Sequence, residues 1–323
     1  MTTVGNKLVT IFGGSGFLGR HVVRALARRG WRIRVAVRRP DLAFHLQPLG
    51  NAGQIMAMQA NVRYPATVAR AIEGADAVIN LVGILAEGSK QGFDSVQAAG
   101  ARTIAEAAKA AGITDFVHVS AIGADAQSPS AYARSKAAGE AAVKELIPSA
   151  VIMRPSVMFG PEDNFFNRFG EIARLSPILP VLAPETQLQP VFVGDVAEAI
   201  ALAVEGHARA GAVYELGGPQ AHTMKELMGI VNHETQRDRL VWTLPLCVAR
   251  LQASLLCFLP NPPITHDQIK LLQSDNVVSH AAEAEGRTLT GLGLTPTALA
   301  AILPTYLWRF RPHGQFDNPR TAG

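Results

Sequence analysis

Residues 7–40 read KLVTIFGGSGFLGRHVVRALARRGWRIRVAVRRP, and this stretch decides the fold. The run Leu8-Val9-Thr10-Ile11-Phe12 is short, apolar and closed by glycine, the pattern of a strand buried on both faces in a parallel sheet. Gly13, Gly14, Ser15 and Gly16 follow as a turn in which side chains would obstruct the backbone. From Phe17 to Arg29 the apolar residues Leu18, Val22, Val23, Leu26 and Ala27 recur at helical spacing, and Gly30 stops the helix. Ile33, Val35 and Val37 supply a second strand. The glycines fit both Gly14-x-Gly16-x-x-Gly19 and Gly13-x-x-Gly16-x-x-Gly19. A glycine triplet alone is a weak signal; a strand before it and a helix after it give it meaning. Such a unit turns free backbone N–H groups and a positive helix end toward a pyrophosphate, and Gly19 lets helix and strand approach closely.

The end of the second strand refines this reading. About 20 residues beyond the glycines an Asp or Glu usually holds the ribose hydroxyls of NAD. Arg38 and Arg39 stand there instead, with no acid before Asp41. A guanidinium pairs with a 2′-phosphate that a carboxylate would repel, so NADP(H) is favoured over NAD(H). The plainer alternative is a pair of solvated arginines.

Strand and helix signals continue to alternate, as a doubly wound sheet requires. Helices are expected over Asp41–Leu49, Ala66–Glu73, Phe93–Ala110 and Tyr132–Leu146. Strands are expected over Gln54–Met58 (running out at Asn61), Ala77–Val82, Asp115–Val119 and Val151–Met153. The fold class is α/β: a doubly wound parallel-sheet Rossmann domain over 1–160, with a smaller C-terminal α/β cap or partner domain over 161–323. Prolines at 155, 161, 177, 180, 184 and 190 break the pattern at that boundary. Segments at about 188–216 are expected to return to the sheet, through a helix over Val193–Val204 and a strand over Val213–Leu216. Thr223 with Glu226 three residues on reads as a capping box.

The bulk numbers exclude several classes. With 48% hydrophobic and 17% charged residues the chain is an ordinary folded protein. The net charge of +4 conceals an asymmetry. Residues 1–40 carry Lys7 and eight arginines without an acid, a local +9, leaving 21 basic against 26 acidic residues, a balance of −5. Arg20, Arg24 and Arg28 form a row at i, i+4 spacing, a solvated face or a docking face for an acidic partner or anionic lipid. No aromatic side chains interleave the arginines, so nucleic acid is not expected. Cys247 and Cys257 lack metal-ligand spacing and read as buried thiols in a reducing compartment. The first strand begins at once, so no signal or transit peptide is expected, and a cytoplasmic protein is the simplest reading.

Leu240 to Pro263, LVWTLPLCVARLQASLLCFLPNPP, is the most apolar stretch. Pro245 and Pro260 limit its helix to about 14 residues, short of the ~20 needed to cross a bilayer. The helix is expected to be buried in the cap, the alternative being an amphipathic helix lying on lipid or on a membrane protein.

The chemistry resides in Tyr132-Ala133-Arg134-Ser135-Lys136, which sets a phenol and an ammonium on one helical face. A nearby cation favours the phenolate and is expected to lower the Tyr132 pKa, making it a proton donor or acceptor for a carbonyl/alcohol pair. Ser120, ending the fifth strand, is the candidate for holding a substrate oxygen, with Ala121 as the competing occupant of that position. His118, inside the strand, reads as a core or site-lining residue. No metal site, nucleophile elbow or Cys/His arrangement appears.

GGSGFLG at 13–19, NLVG at 80–83, HVSAIGA at 118–124, YARSKAAGE at 132–140 and RPSVMFGPED at 154–163 resemble the extended or atypical branch of the short-chain dehydrogenase/reductase superfamily. HLQPLGNAGQ at 45–54, PSVMFGPEDNFFNRF at 155–169 and LQPVFVGDVAEAI at 188–200 are similar to the nucleotide-binding accessory-subunit family of respiratory complex I. That resemblance implies a tightly held NADPH and a structural or assembly role at the membrane-facing junction near the quinone entrance, peripheral to the inner membrane. It implies pyrophosphate contacts from Gly13, Gly16, Phe17, Leu18 and Gly19 and a 2′-phosphate site at Arg38 and Arg39. Asn61 and Val62 would face the adenine, Leu81, Val82 and Gly83 the adjacent ribose and phosphate, and Tyr132, Lys136, Pro155, Ser156 and Val157 the nicotinamide. The competing expectation is a free NAD(P)H-dependent oxidoreductase or epimerase/dehydratase working through Tyr132 and Lys136.

Overall fold

The computed structural model describes residues 7–88, 92–256 and 264–313. They form two compact units. The first comprises the chain up to Pro155 with Val193–Leu216 and Val278–Thr295; the second comprises Ser156–Phe192, Gly217–Val277 and the chain from Pro296 onward.

In the first unit β1 (Leu8–Phe12), β2 (Arg32–Val37), β3 (Ile55–Gln59), β4 (Ala77–Asn80), β5 (Asp115–Val119), β6 (Val151–Pro155) and β11 (Val213–Leu216) make one sheet in the order β11-β6-β5-β4-β1-β2-β3. Every pairing is parallel. The order reverses between β1 and β4, and Phe12 is in register with both Ala36 and Asn80, so the carboxyl ends of the central strands lie level. Open α/β sheets bind ligands at such a switch point. Helices α1 (Phe17–Arg28) and α6 (Val193–Val204) pack together, as do α2 (Pro65–Ile72), α3 (Ala99–Ala110) and α4 (Ala131–Leu146) in a row. The sheet and the second row share a core of Phe12, Val68, Ile72, Val78, Ile104, Phe116 and Val143. Arg29 ties α1 to α6 by donating to Glu198 Oε2 (2.6 Å) and Glu205 Oε2 (3.2 Å), while Arg24 and Arg28 are exposed. A short helix, α10 (His280–Ala284), completes the unit.

Two elements differ from the sequence reading. Residues 41–49 form two 3-10 turns, Pro40–Leu42 and Phe44–Leu49, the second with Pro48 inside it. Proline cannot donate, so a continuous α-helix there would lose its ladder. The expected helix from Phe93 opens with a π-helical turn at Asp94–Ala98 before α3 begins.

The second unit is built from strand pairs rather than a sheet. β7 (Met158–Phe159) pairs with β10 (Val191–Phe192), β8 (Ile178–Val181) with β13 (Leu240–Thr243), and β9 (Gln187–Leu188) antiparallel with β12 (His222–Thr223). Helices α5 (Phe166–Leu175) and α7 (Met224–Thr235) close over a core of Phe159, Phe166, Leu179, Leu227, Val231 and Leu307. Thr223 and Glu226 form the expected capping box at the start of α7. Tyr306 donates to the buried Asp163 at 2.5 Å, fastening the C-terminal turns to the loop before α5.

The apolar stretch is where the structure departs most from expectation. It supplies β13 and then α8 (Leu246–Leu256), which packs beside α9 (His266–Leu271). α8 is not a buried helix: Ala249 and Ala253 face inward at 0% and 1% exposure, while Leu251 and Leu255 stand 60% and 66% exposed. Small inward residues seat the helix close to its support and leave its large side chains in solvent. Cys247 is likewise exposed rather than buried. Cys257, Pro260 and the tail from residue 314 lie outside the described residues. No helix among the described residues is long and apolar enough to cross a membrane.

Candidate dinucleotide site and the Tyr132–Lys136 helix

The turn after β1 is shaped by backbone proximity. Gly13 has a φ of +80°, and a Cβ there would lie 3.3 Å from the Leu81 carbonyl carbon. Leu81 N in turn donates to Phe12 O, which draws the end of β4 against the glycine turn. At Gly19 a Cβ would stand 2.5 Å from the Gly14 carbonyl, inside any tolerable contact, so α1 closes on the turn only with glycine there. Gly16 caps α1 without a side-chain hydrogen bond, and no acid stands in the first turn. Its N–H groups and positive dipole end are therefore disposed for an anion rather than for a side chain of this chain. Ser15 and Phe17 are half-buried beside them; Leu18 turns into the core and offers only its backbone.

Directly after β2, Arg38 is exposed and has no hydrogen-bond or ion-pair partner among the described residues. Arg39 differs. Its guanidinium meets Asp41 in bidentate fashion, Nε to Oδ1 at 3.0 Å and Nη2 to Oδ2 at 2.7 Å, which raises its own pKa and lowers that of Asp41. The acid two residues on therefore occupies one of the two arginines. Beyond β3, Asn61 Oδ1 accepts from Arg63 N, while the Val62 side chain is buried and would touch a Cβ built at Gly100. Val62 therefore has only backbone to offer a ligand.

On α4, Ser130 caps the helix by accepting from Ala133 N. Tyr132 is half-buried with its ring edge-on to Phe93, centroids 5.8 Å apart. Lys136 is buried; its Nζ donates to Val119 O at 3.2 Å and would lie 3.3 Å from a Cβ at Gly83. Nζ stands 5.9 Å from the Tyr132 ring centroid. Burial dominates both groups. It pushes the Tyr132 phenol up to about 12 and Lys136 down to about 8, the latter opposed by Glu140. The expected lowering of Tyr132 does not occur: loss of hydration on burial is the dominant effect on the phenol. At neutral pH Tyr132 keeps its proton and can donate but not accept one.

Ser120 is buried, its N–H bonded to Met153 O and its hydroxyl without a partner among the described residues. A buried hydroxyl left unsatisfied is costly and favours a ligand oxygen as its partner. Pro155 ends β6 and its carbonyl accepts from Ile122 N. Ser156 and Val157 belong to the second unit. There the Ser156 hydroxyl is engaged by Asn276 and the Val157 carbonyl accepts from Val191 N.

Two links were invisible in the sequence. Asn80 receives Val82 N–H on Oδ1 (3.0 Å) and its amide meets His118 Nδ1 (3.1 Å), joining the turn beyond β4 to β5. His118, buried and driven down to about 3, is a neutral strut. Gln97, in the π-helical turn, donates to Ile84 O (2.6 Å) and accepts from Ser135 Oγ (3.2 Å) between Tyr132 and Lys136. A polar residue ending an otherwise apolar strand was the available signal for Asn80; nothing local marks Gln97.

The glycine turn, the open α1 terminus, Arg38 and the Tyr132–Lys136 helix define an NAD(P)-binding Rossmann fold of the short-chain dehydrogenase/reductase type. The model of the NAD dependent epimerase/dehydratase family matches residues 9–217, and the chain belongs to that family. It is 34% identical to the mitochondrial NADH dehydrogenase [ubiquinone] 1 alpha subcomplex subunit 9 of Arabidopsis thaliana, over 97% of this chain and 80% of that protein. It is 40% identical to the ceramide reductase of Caulobacter vibrioides over 61% of each chain. Among solved structures, the NADPH-dependent quinone oxidoreductase QOR2 of Escherichia coli superposes with a TM-score of 0.71 over 93% of this chain and 98% of that one; at 20% identity it shows the fold alone. Among the described residues no group of His, Cys, Asp or Glu could hold a metal ion.

Proposed function

We propose that this chain holds NADPH as a resident ligand and serves as an accessory or assembly component of NADH:ubiquinone oxidoreductase (complex I). The likeness to the Arabidopsis subunit carries this reading, because it extends over nearly the whole chain and so through the second unit, beyond the residues that any dinucleotide binder of the family shares. The site is compatible with a nucleotide that stays. Tyr132, with its phenol raised to about 12, has none of the activation a proton acceptor needs.

In this reading Gly13, Ser15, Gly16, Phe17, Leu18 and Gly19 hold the pyrophosphate, and Arg38 takes the 2′-phosphate with Arg39 joining only by leaving Asp41. Asn61 and Val62 lie at the adenine, Leu81 to Gly83 at the adjacent ribose and phosphate. Lys136, Tyr132, Pro155, Ser156 and Val157 serve the nicotinamide side, with Ser120 toward a substrate oxygen. The bound nucleotide would supply a hydride at its nicotinamide. The exposed leucines of α8 support a peripheral seat on the cytoplasmic face of the inner membrane, against complex I subunits or lipid. The test is native purification from membranes, with mass identification of the nucleotide and proteins that accompany the chain. NADPH together with complex I subunits is the expected result; a soluble monomer with neither overturns the proposal.

A second reading is favoured by the Caulobacter relative and by the Tyr132–Lys136 pair: a free NADPH-dependent reductase or epimerase acting on a carbonyl/alcohol substrate. It expects NADPH oxidation on a panel that includes ceramide-type lipids, abolished in Tyr132→Phe. Bound NADPH that stays reduced across the panel counts against it.

A further inference from the structure

We propose that Glu140 is a positioning residue for Lys136, held by Arg154 so that its carboxylate keeps the Lys136 ammonium charged inside the protein. Tyr132, Lys136 and Glu140 follow one another at i, i+4, i+8 on α4, one row of its surface. Glu140 is 5% exposed, a depth at which a carboxylate must be compensated. Arg154 of β6 grips both of its oxygens, Nε to Oε1 and Nη2 to Oε2, each at 2.8 Å. Arg154 also reaches Glu215 of β11, Nη1 to Oε1 at 3.7 Å, and Glu215 Oε2 accepts from Ser279 N at 2.8 Å.

Arg154 thus has a second carboxylate and does not need Glu140 for its own neutralisation. Glu140 and Glu215 share Arg154 between them, and Arg287, itself paired with Glu285, lies beside Glu215 and Arg154. Lys136 has no carboxylate at ion-pair distance among the described residues; its Nζ donates to the neutral Val119 carbonyl. The groups facing it are His118 from β5, Tyr132 and Glu140 from its own helix, with Arg154 and Glu215 behind Glu140. His118 is neutral and Tyr132 keeps its proton, so Glu140 is the one neighbour that opposes the discharge that burial favours.

The consequence for nucleotide binding rests on the proposed place of Lys136 at the nicotinamide side; the titration of Lys136 itself does not. The full chain, free of added nucleotide, is labelled by reductive ¹³C-methylation and its lysines titrated by NMR, the Lys136 signal being assigned by its loss in Lys136→Arg. Glu140→Gln is expected to move the Lys136 midpoint down by about one pH unit. Glu145→Gln, altering an exposed carboxylate further along α4, is expected to leave it in place. An unmoved midpoint in folded Glu140→Gln overturns the proposal. Should that variant not fold, Glu215→Gln carries the test, since it also removes one negative charge from the set; a smaller downward shift supports the proposal and none overturns it. NADPH affinity of unlabelled protein is then compared at pH 6 and pH 8. Glu140→Gln is expected to bind as the parent does at pH 6 and about three- to tenfold more weakly at pH 8. A shifted midpoint without that loss leaves the positioning role standing and removes Lys136 from the nucleotide site.

Discussion

Arg38 and Arg39 look equivalent in sequence and are not equivalent in the fold. Arg39 is already bidentate with Asp41, whereas Arg38 extends from the end of β2 with no partner among the described residues. A 2′-phosphate recruiting Arg38 breaks nothing; recruiting Arg39 requires giving up a charge-assisted pair. Arg38→Ala is therefore expected to weaken NADPH about tenfold or more while leaving NADH nearly unchanged, and Arg39→Ala to weaken it by a few-fold at most. Fluorescence titration with both nucleotides checks this, and equal affinities in the parent would show that neither arginine reads the phosphate. At this scale the sequence revealed residue types at ends of strands but not their engagement. The glycines, Arg38, Tyr132 and Lys136 were legible because their spacing is local. The Asn80–His118 and Gln97–Ser135 bonds join residues 38 apart and depend on the sheet having formed. Asp41 was legible as a letter, but its role as a competitor for Arg39 was not.

Among elements, legibility follows length and burial. The strands of the first unit are four to six residues long, the central ones largely buried, and separated by periodic helices, so hydrophobic pattern alone marks where they lie. Four strands of the second unit have two residues each, too short to show any period. α8 failed for another reason: apolar composition says that a segment avoids water, not which of its faces is turned to protein. Packing at the first βα turn gives a quantitative check. Gly19→Ala places a methyl 2.5 Å from backbone atoms that cannot move without dislodging α1 from β1, and is expected to cost about 1–3 kcal/mol together with nucleotide binding. Gly229→Ala, in the exposed middle of α7 with nothing within 4 Å of its Cβ, is expected to gain up to about 1 kcal/mol. Thermal unfolding of the two variants should move in opposite directions. A harmless Gly19→Ala would mean that the close approach of helix and turn is not required.

At the scale of the whole molecule, the exposed face of α8 is the feature that bears on partners. Leu246, Val248, Leu251 and Leu255 of α8 and Leu240 and Trp242 of β13 are all exposed, a local density of large apolar side chains unlike singly scattered exposed leucines. Residues 240–263 contain no acid and one base, Arg250, so neither charge repulsion nor a hydrated carboxylate keeps this surface from an anionic interface. No helix among the described residues is long enough for a span, and on the proposed reading the occupant of this surface is lipid in the plane of the membrane or a membrane-arm protein. The two occupants respond differently to salt and to lipid. Contact with lipid predicts cosedimentation with vesicles containing phosphatidylglycerol, reduced at least about fivefold in Leu251→Glu/Leu255→Glu, because a carboxylate entering the interface must be dehydrated or protonated. Contact with protein alone predicts no vesicle binding by the parent, together with loss of complex I subunits from the native purification of the same variant. In either case NADPH binding should be unaltered, since neither leucine is among the residues assigned to the nucleotide. A variant that still cosediments and still copurifies would remove α8 from the docking surface and leave the arginine face of α1, with Arg24 and Arg28 exposed, as the next place to look.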